Sequence, residues 1–293
     1  MYEQKKHAYL IMAYNNFYVL EKLLLLLDDN RNDIYVHVDK KTSDFDKNYF
    51  DKLNIYSNIF FIERRNVYWA DYSQVDVTLA LLRAATKNKQ YHYYHLLSGS
   101  DLPIKSQDYI HDFFRNKDCQ FVGIVPRIFW YSIRRVKYYF PFLDNRYYRN
   151  SKILKAFVAV LVLIQQFCQI NRLKYYELDI YNGWTWFSIS HSFASYLIEQ
   201  ENTIAKMFQK AMAPDELFIQ TMAFNSDYKD KIFDITDLKN GSMRYIDWKR
   251  GTPYVFRSSD FEDLINSRYL FARKFDENVD RDIIDRVYHQ VKK

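Results

Sequence analysis

Residues 7–41 read HAYLIMAYNNFYVLEKLLLLLDDNRNDIYVHVDKK. HAYLIMAY (7–14) is an almost unbroken apolar run, short and without helical periodicity, which predicts a strand buried on both faces. Asn15 and Asn16 then open a helix that continues to Asp28, with Leu20, Leu23, Leu24 and Leu27 recurring at helical spacing. A second strand is expected over 33–38, ending in polar residues at its carboxyl edge. Working outward, NIFFIE (58–63) reads as a third strand, 72–87 as a helix and YHYYHLL (91–97) as a fourth strand. SGSDLP (98–103) lies just beyond it. This alternation predicts an α/β fold built on a mostly parallel, doubly wound sheet. Ligands of such sheets bind beyond the carboxyl ends of the strands, so Asp39, Trp69 and Asp101 are expected on the binding rim.

The second half is less regular. A return strand is expected over 182–190, a helix from His191, another from the Ala213–Pro214–Asp215–Glu216 segment, a strand over 244–248, a helix through Leu264 and an amphipathic helix beyond Glu277. The chain has 293 residues, 48% of them hydrophobic, enough for a full core. Only 5 Gly and 5 Pro are present, which excludes linker-rich and low-complexity designs. Tyr and Phe are abundant, at 27 and 23, a composition that suits sugar faces or membrane interfaces as well as a biased genome.

The net charge of +6 is local. Arg127, Arg134, Arg135, Lys137, Arg146, Arg149, Lys152 and Lys155 occur with Asp144 as the only acid among them. Such a patch attracts phosphates, acidic glycans, nucleic acid or anionic lipid. Without a recognised nucleic-acid module, nucleic acid is set aside as a partner. Cys119 and Cys168 are too few for a disulfide framework and read as reduced thiols. No secretory signal is evident, and no apolar stretch reaches the ~20 residues needed to span a bilayer. A cytoplasmic protein is expected, with possible peripheral contact to the inner face of the cell membrane. Ala156 to Ile164, flanked by Lys152, Lys155, Arg172 and Lys174, is the segment that would make it, unless it is a buried core helix.

Three constellations bear on chemistry. Pro214-Asp215-Glu216 is an ordinary helix start, but it also offers Glu216 as a general base for an acceptor hydroxyl. Arg257 and Lys274 are two cations able to meet charge on a departing diphosphate, or simply solvated surface. The place after the fourth strand, where a metal-binding Asp-x-Asp pair is often found, reads Ser98-Gly99-Ser100-Asp101, with one carboxylate. Asp44-Phe45-Asp46 and Asp280-Arg281-Asp282 have the spacing but lie in a loop and in the tail. Nothing suggests a zinc site, a phosphate-binding glycine loop or a nucleophile elbow, so no metal and no cofactor are expected.

HVDKK, YWADYS, LLSGSDLPIKS, GWTWFSIS, PDELFIQTM, RYIDW and LFARKFD follow one another in this order. Together they resemble the core-2/I-branching β-1,6-N-acetylglucosaminyltransferase and peptide O-xylosyltransferase family, glycosyltransferase family 14. The resemblance implies a GT-A type fold with a nucleotide-sugar cleft, an inverting reaction, a UDP-sugar donor and no metal. By the same resemblance Glu216 is the catalytic base, Lys274 binds the diphosphate, and Arg257 is its partner at a shorter spacing than in the animal enzymes. Asp39, Trp69 and Ala13 fall in the nucleotide pocket. Asp101, Trp184, Trp248 and Arg250 fall in the donor and acceptor cleft, with Trp248 stacking on an acceptor sugar. A single domain over 1–293 is expected: a nucleotide-binding half (1–125), a basic and apolar insertion (126–180) and an acceptor and catalytic half (181–293). The stretch between Val125 and Tyr181 does not match the animal acceptor loop, and Arg250 replaces a tyrosine. This resembles a bacterial member acting on a glycan, lipid-linked or free, in surface polysaccharide synthesis. A catalytically silent sugar- or lipid-binding scaffold of the same fold is the alternative.

Overall fold

A computed structural model describes residues 5–53, 55–125, 127 and 130–292. The chain runs β1 (His7–Ala13), α1 (Phe17–Leu27), β2 (Asn32–Val38), α2 (Lys47–Phe50), β3 (Asn58–Phe61), α3 (Ser73–Asn88), β4 (Tyr93–Ser98), β5 (Asp101–Pro103), α4 (Gln107–Phe114) and β6 (Phe121–Ile124). It continues with α5 (Trp130–Lys137), α6 (Lys152–Phe167), β7 (Gly183–Ser190), α7 (His191–Glu199), α8 (Glu201–Phe208), α9 (Phe218–Phe224), α10 (Leu238–Ser242), β8 (Arg244–Ile246), α11 (Phe261–Asn266), β9 (Phe271–Arg273) and α12 (Arg281–Val291).

β1 explains the layering. Successive side chains of a strand point to opposite faces. Tyr9 and Ile11 therefore enter one core with the leucines of α1, Phe114 of α4 and Ile283, Ile284 and Val287 of α12. Ala8 and Leu10 enter a second core with α3, Phe193 and Leu197 of α7, and Phe218 and Met222 of α9. The central sheet has the order β3-β2-β1-β4-β7-β6. β3, β2, β1 and β4 are parallel, while β7 runs antiparallel to β4 and to β6. A second sheet has the order β5-β9-β8. This is a mixed α/β arrangement with a largely parallel central sheet. Strands from before residue 125 and after residue 181 share both sheets, so the two halves interleave in space.

The expected strands form with ends moved by a residue or two. The helix expected from Ala213 does not start there. Ala213 adopts left-handed backbone angles (φ 46°), Pro214–Glu216 makes a short 3-10 turn, and α9 begins at Phe218. The turn breaks because the Asp215 carboxylate faces inward to Thr185 rather than capping a helix. β5 and β9 escape periodicity altogether, being three residues each.

The segment between β6 and β7 carries α5 and α6 on a small cluster of its own, formed by Tyr138, Phe140, Leu143, Tyr148, Val158 and Val162. No helix among the described residues is long and apolar enough to cross a membrane. Both Asp-x-Asp decoys have structural work. Asp46 caps α2, and Asp280 caps α12 while also holding Ser258.

Candidate active site

β1, β2 and β4 end side by side, and their exits are tied by backbone hydrogen bonds. Asp39 N–H donates to the Ala13 carbonyl and Gly99 N–H to the Met12 carbonyl, both at 2.9 Å. A Cβ at position 99 would sit 3.1 Å from that of Ala13, so glycine permits this close approach. The buried Asp39 accepts from the Lys41 backbone (2.9 Å) and ammonium (2.8 Å). Lys41 also donates to the Val67 carbonyl and lies 4.3 Å over the Tyr68 ring. One lysine thus joins the HVDKK turn to the YWADYS loop.

The Ser98–Asp101 turn is closed by its own acid. Asp101 accepts from Ser98 N–H and Oγ, each at 2.8 Å, and from Arg273 at 2.6 Å. Register in the small sheet sets Arg273 opposite Asp101. The Arg273 guanidinium lies 4.4 Å over the Trp186 ring of β7. With Asp101 buried and Arg273 largely so, the pair is matched inside the protein.

Beside it, Phe256 N–H donates to the Lys274 carbonyl (2.9 Å) and Lys274 N–H to the Tyr254 carbonyl (3.4 Å). Phe275 N–H reaches the Ser100 carbonyl at 2.9 Å. This pairing brings Arg257 and Lys274 onto adjacent extended segments next to the Ser98–Asp101 turn. Among the described residues neither cation has an ion-pair partner, and Arg257 is exposed. Two cations on adjacent segments, neither with an ion-pair partner, attract an anion to this side of the turn.

The third component is the turn that carries Glu216. Arg135 of α5, only 6% exposed, donates to Glu216 Oε2 at 2.9 Å, to the Met212 carbonyl at 2.8 Å and to the Ala213 carbonyl. Ala213 N–H donates to the Ala70 carbonyl at 2.8 Å, so the Trp69 loop abuts this turn. Glu216 is 48% exposed and accessible to a substrate. Its neighbour Asp215 is buried, accepts from Thr185 Oγ1 at 2.9 Å, and has Oδ1 without a partner. Burial, then the nearby Glu216 charge, push Asp215 up to about 6, against the Thr185 bond and Arg135. Of the two acids only Glu216 is open to solvent, since Asp215 is buried.

The remaining expected residues sit as follows. Trp69 is half-exposed, with the Arg149 guanidinium 5.9 Å from its ring. The Trp184 carbonyl accepts from Gln220 at 2.8 Å, which ties β7 to α9 below Glu216. Trp248 is half-exposed two residues beyond β8, which stops at Ile246. Arg250 is held by Asp247 and by Asp260 (2.6 Å) and lies 4.0 Å over Tyr254, so its charge is matched within its own loop. Among the described residues no backbone hydrogen bond links the Trp248 loop to the Glu216 turn. Sequence reasoning missed Arg135, Arg273, Thr185 and Trp186. Arg273 stands inside the FARKFD motif next to Lys274, a position that was a usable signal. Nothing in the linear charge run distinguishes Arg135 from its seven basic neighbours. No group of three His, Cys, Asp or Glu side chains that could hold a metal occurs among the described residues.

The comparisons with known proteins agree on family. The family described as Core-2/I-Branching enzyme matches residues 7–264. Xylosyltransferase sqv-6 of Caenorhabditis elegans is 27% identical over 281 residues, covering 86% of this chain and 32% of the worm protein. A human β-1,3-galactosyl-O-glycosyl-glycoprotein β-1,6-N-acetylglucosaminyltransferase is 20% identical over 93% of this chain and 66% of the human one. The chain therefore spans from a third to two-thirds of the length of these relatives. Among solved structures, apo mouse xyloside xylosyltransferase 1 aligns over 91% of this chain and 96% of its own, at 10% identity and a TM-score of 0.38. With the motif order, the sheet and a match over most of its length in accord, the chain belongs to the core-2/I-branching enzyme family.

Proposed function

We propose that this chain is an inverting glycosyltransferase that moves a sugar from a UDP-sugar to a glycan hydroxyl without a metal ion. The observation that carries the reading is the placement of unpaired Arg257 and Lys274 beside a turn whose lone acid, Asp101, is already matched by Arg273. The charge that a metal would supply is then available from fixed side chains. Glu216 takes the proton of the acceptor hydroxyl, the oxygen attacks the anomeric carbon, and the bond to the diphosphate breaks as UDP leaves toward Arg257 and Lys274. Arg135 holds the Glu216 carboxylate in place until the acceptor arrives. Asp39, Ala13 and Trp69 line the nucleotide side, and Trp184 and Trp248 the sugar side. The activities of the relatives, a xylosyltransferase and an N-acetylglucosaminyltransferase, support sugar transfer as the reaction class. Xylose, N-acetylglucosamine, galactose in either ring form and glucose are the donors to test. The acceptor is read as a lipid-linked glycan on the inner face of a bacterial cell membrane, in surface polysaccharide synthesis.

A thermal-shift titration with UDP and a panel of UDP-sugars, with and without EDTA, tests this. Stabilisation that survives EDTA is expected. Stabilisation abolished by EDTA overturns the metal-free reading, and no shift with any ligand moves the chain toward the silent scaffold.

A further inference from the structure

α6 is a helix turned inside out. Only Val158 and Val162 are buried, onto the small cluster of Tyr138, Phe140, Leu143 and Tyr148. Its outer face presents Ile153 (85% exposed), Phe157, Val160, Leu163, Ile164 and Phe167 (89% exposed) to solvent. Phe142, with its ring 6.0 Å from that of Phe157, extends the face. The helix contains no acid. Arg146, Arg149, Lys152 and Lys155 lie at its start, Lys174 follows its end, and exposed Tyr139, Tyr147 and Tyr175 lie in the same segment. Apolar face, aromatic belt and basic rim are the three parts of an interfacial helix on anionic lipid.

Behind α6 lies a cleft of about 260 Å³ whose lining includes Trp69, Tyr131, Arg134, Arg135, Tyr148 and Lys155. It adjoins the Glu216 turn through Arg135, which contacts both. Arg134 Nε is buried there without a hydrogen-bond partner among the described residues. A half-buried guanidinium whose Nε is an unmet donor, in a cleft walled by rings and aliphatic side chains, suits a phosphate joined to an apolar chain.

We propose that α6 beds in the surface of an anionic bilayer, and that the cleft behind it holds the phosphate end of a prenyl-phosphate-linked acceptor, with Arg134 as its anchor. The acceptor sugar then approaches Glu216 from the membrane side. This rests on the reading of Glu216 as the base, so the test separates the two. The 293-residue chain is sedimented with phosphatidylcholine vesicles, with vesicles containing phosphatidylglycerol, and with the latter doped with a long-chain prenyl phosphate. UDP binding is followed in parallel on every variant. Wild type is expected on anionic vesicles at low salt and not on phosphatidylcholine, and to bind ~10-fold tighter when prenyl phosphate is added. The triple variant Ile153→Ser, Phe157→Ser, Phe167→Ser should lose binding on the order of 10²-fold while keeping its melting temperature and UDP binding. Arg134→Gln should keep vesicle binding and lose only the response to prenyl phosphate. Equal binding by the triple variant, or wild type that ignores anionic vesicles, overturns the docking. An unchanged prenyl-phosphate response in Arg134→Gln overturns the cleft assignment. Absent UDP binding in wild type would instead refute the transferase reading alone.

Discussion

Asp215→Asn is the most exacting single substitution for the site. The native carboxyl is buried, moved from 3.8 to about 6, and so carries its charge at neutral pH against a folding cost. A shift of about 2 units corresponds to about 3 kcal/mol, at 1.36 kcal/mol per unit. The sign follows from linkage. The folded state binds the proton more tightly than the unfolded chain, so stability falls as pH rises from about 4 to about 6 and stays lowered above that. Asparagine keeps an oxygen for Thr185 Oγ1 and removes the charge, but leaves amide hydrogens in place of the unpartnered Oδ1. The net gain at pH 7.5 is therefore expected at about 1–3 kcal/mol. At roughly 2–4 °C per kcal/mol for a chain of a few hundred residues, the melting temperature should rise by ~2–12 °C. Melts of wild type and Asp215→Asn at pH 7.5, 6 and 4 measure it, and the advantage should fall by about 2–3 kcal/mol on going to pH 4, to zero or slightly below. Effects of other titrating groups are common to both proteins and cancel. A variant destabilised at pH 7.5, or a gain that does not change with pH, would show that Asp215 is not a strained buried charge.

Glu216→Gln should lower kcat by about 10²–10⁴ and leave UDP binding intact, whereas Lys274→Ala should lower kcat by about 10²–10³ and weaken UDP as well; initial rates and calorimetry separate the two patterns. Gly183→Ala would place a Cβ 1.8 Å from the Gly123 carbonyl oxygen between β6 and β7, so a loss of at least ~2 kcal/mol, or no folded protein, is expected in denaturant titrations. Burial holds His37 and His111 down at about 4 and His7 and His95 well below the ordinary imidazole value. Their depressed values mean the unfolded chain takes up protons first. Wild-type stability should thus be complete above about pH 6.5 and fall steadily toward pH 4, and a melting temperature flat across that window would contradict their burial.

The first half of the fold was legible because its signals are local. Apolar runs with the right period become β1, β2 and β4, and the leucines of α1 mark their own buried face. The order of short motifs along the chain carried the family. The local patterns could not say which motif meets which. SGSD closes on Arg273 only because β5 and β9 pair across more than 170 residues of chain, and a three-residue strand has no period to read. Glu216 and Asp215, adjacent in sequence, differ in role because one turn sends the first to solvent and the second to Thr185. Likewise, Arg134 and Arg135 are two ordinary basic residues in a charged run until α5 buries one against Glu216 and turns the other into a cleft. The sequence by itself determined the class of fold, the family and the inventory of usable side chains, since these depend on period and composition. Which acid is accessible, which cations lack partners and which face of α6 is bare were decided only by tertiary packing, because burial and charge pairing are properties of residues distant in the chain.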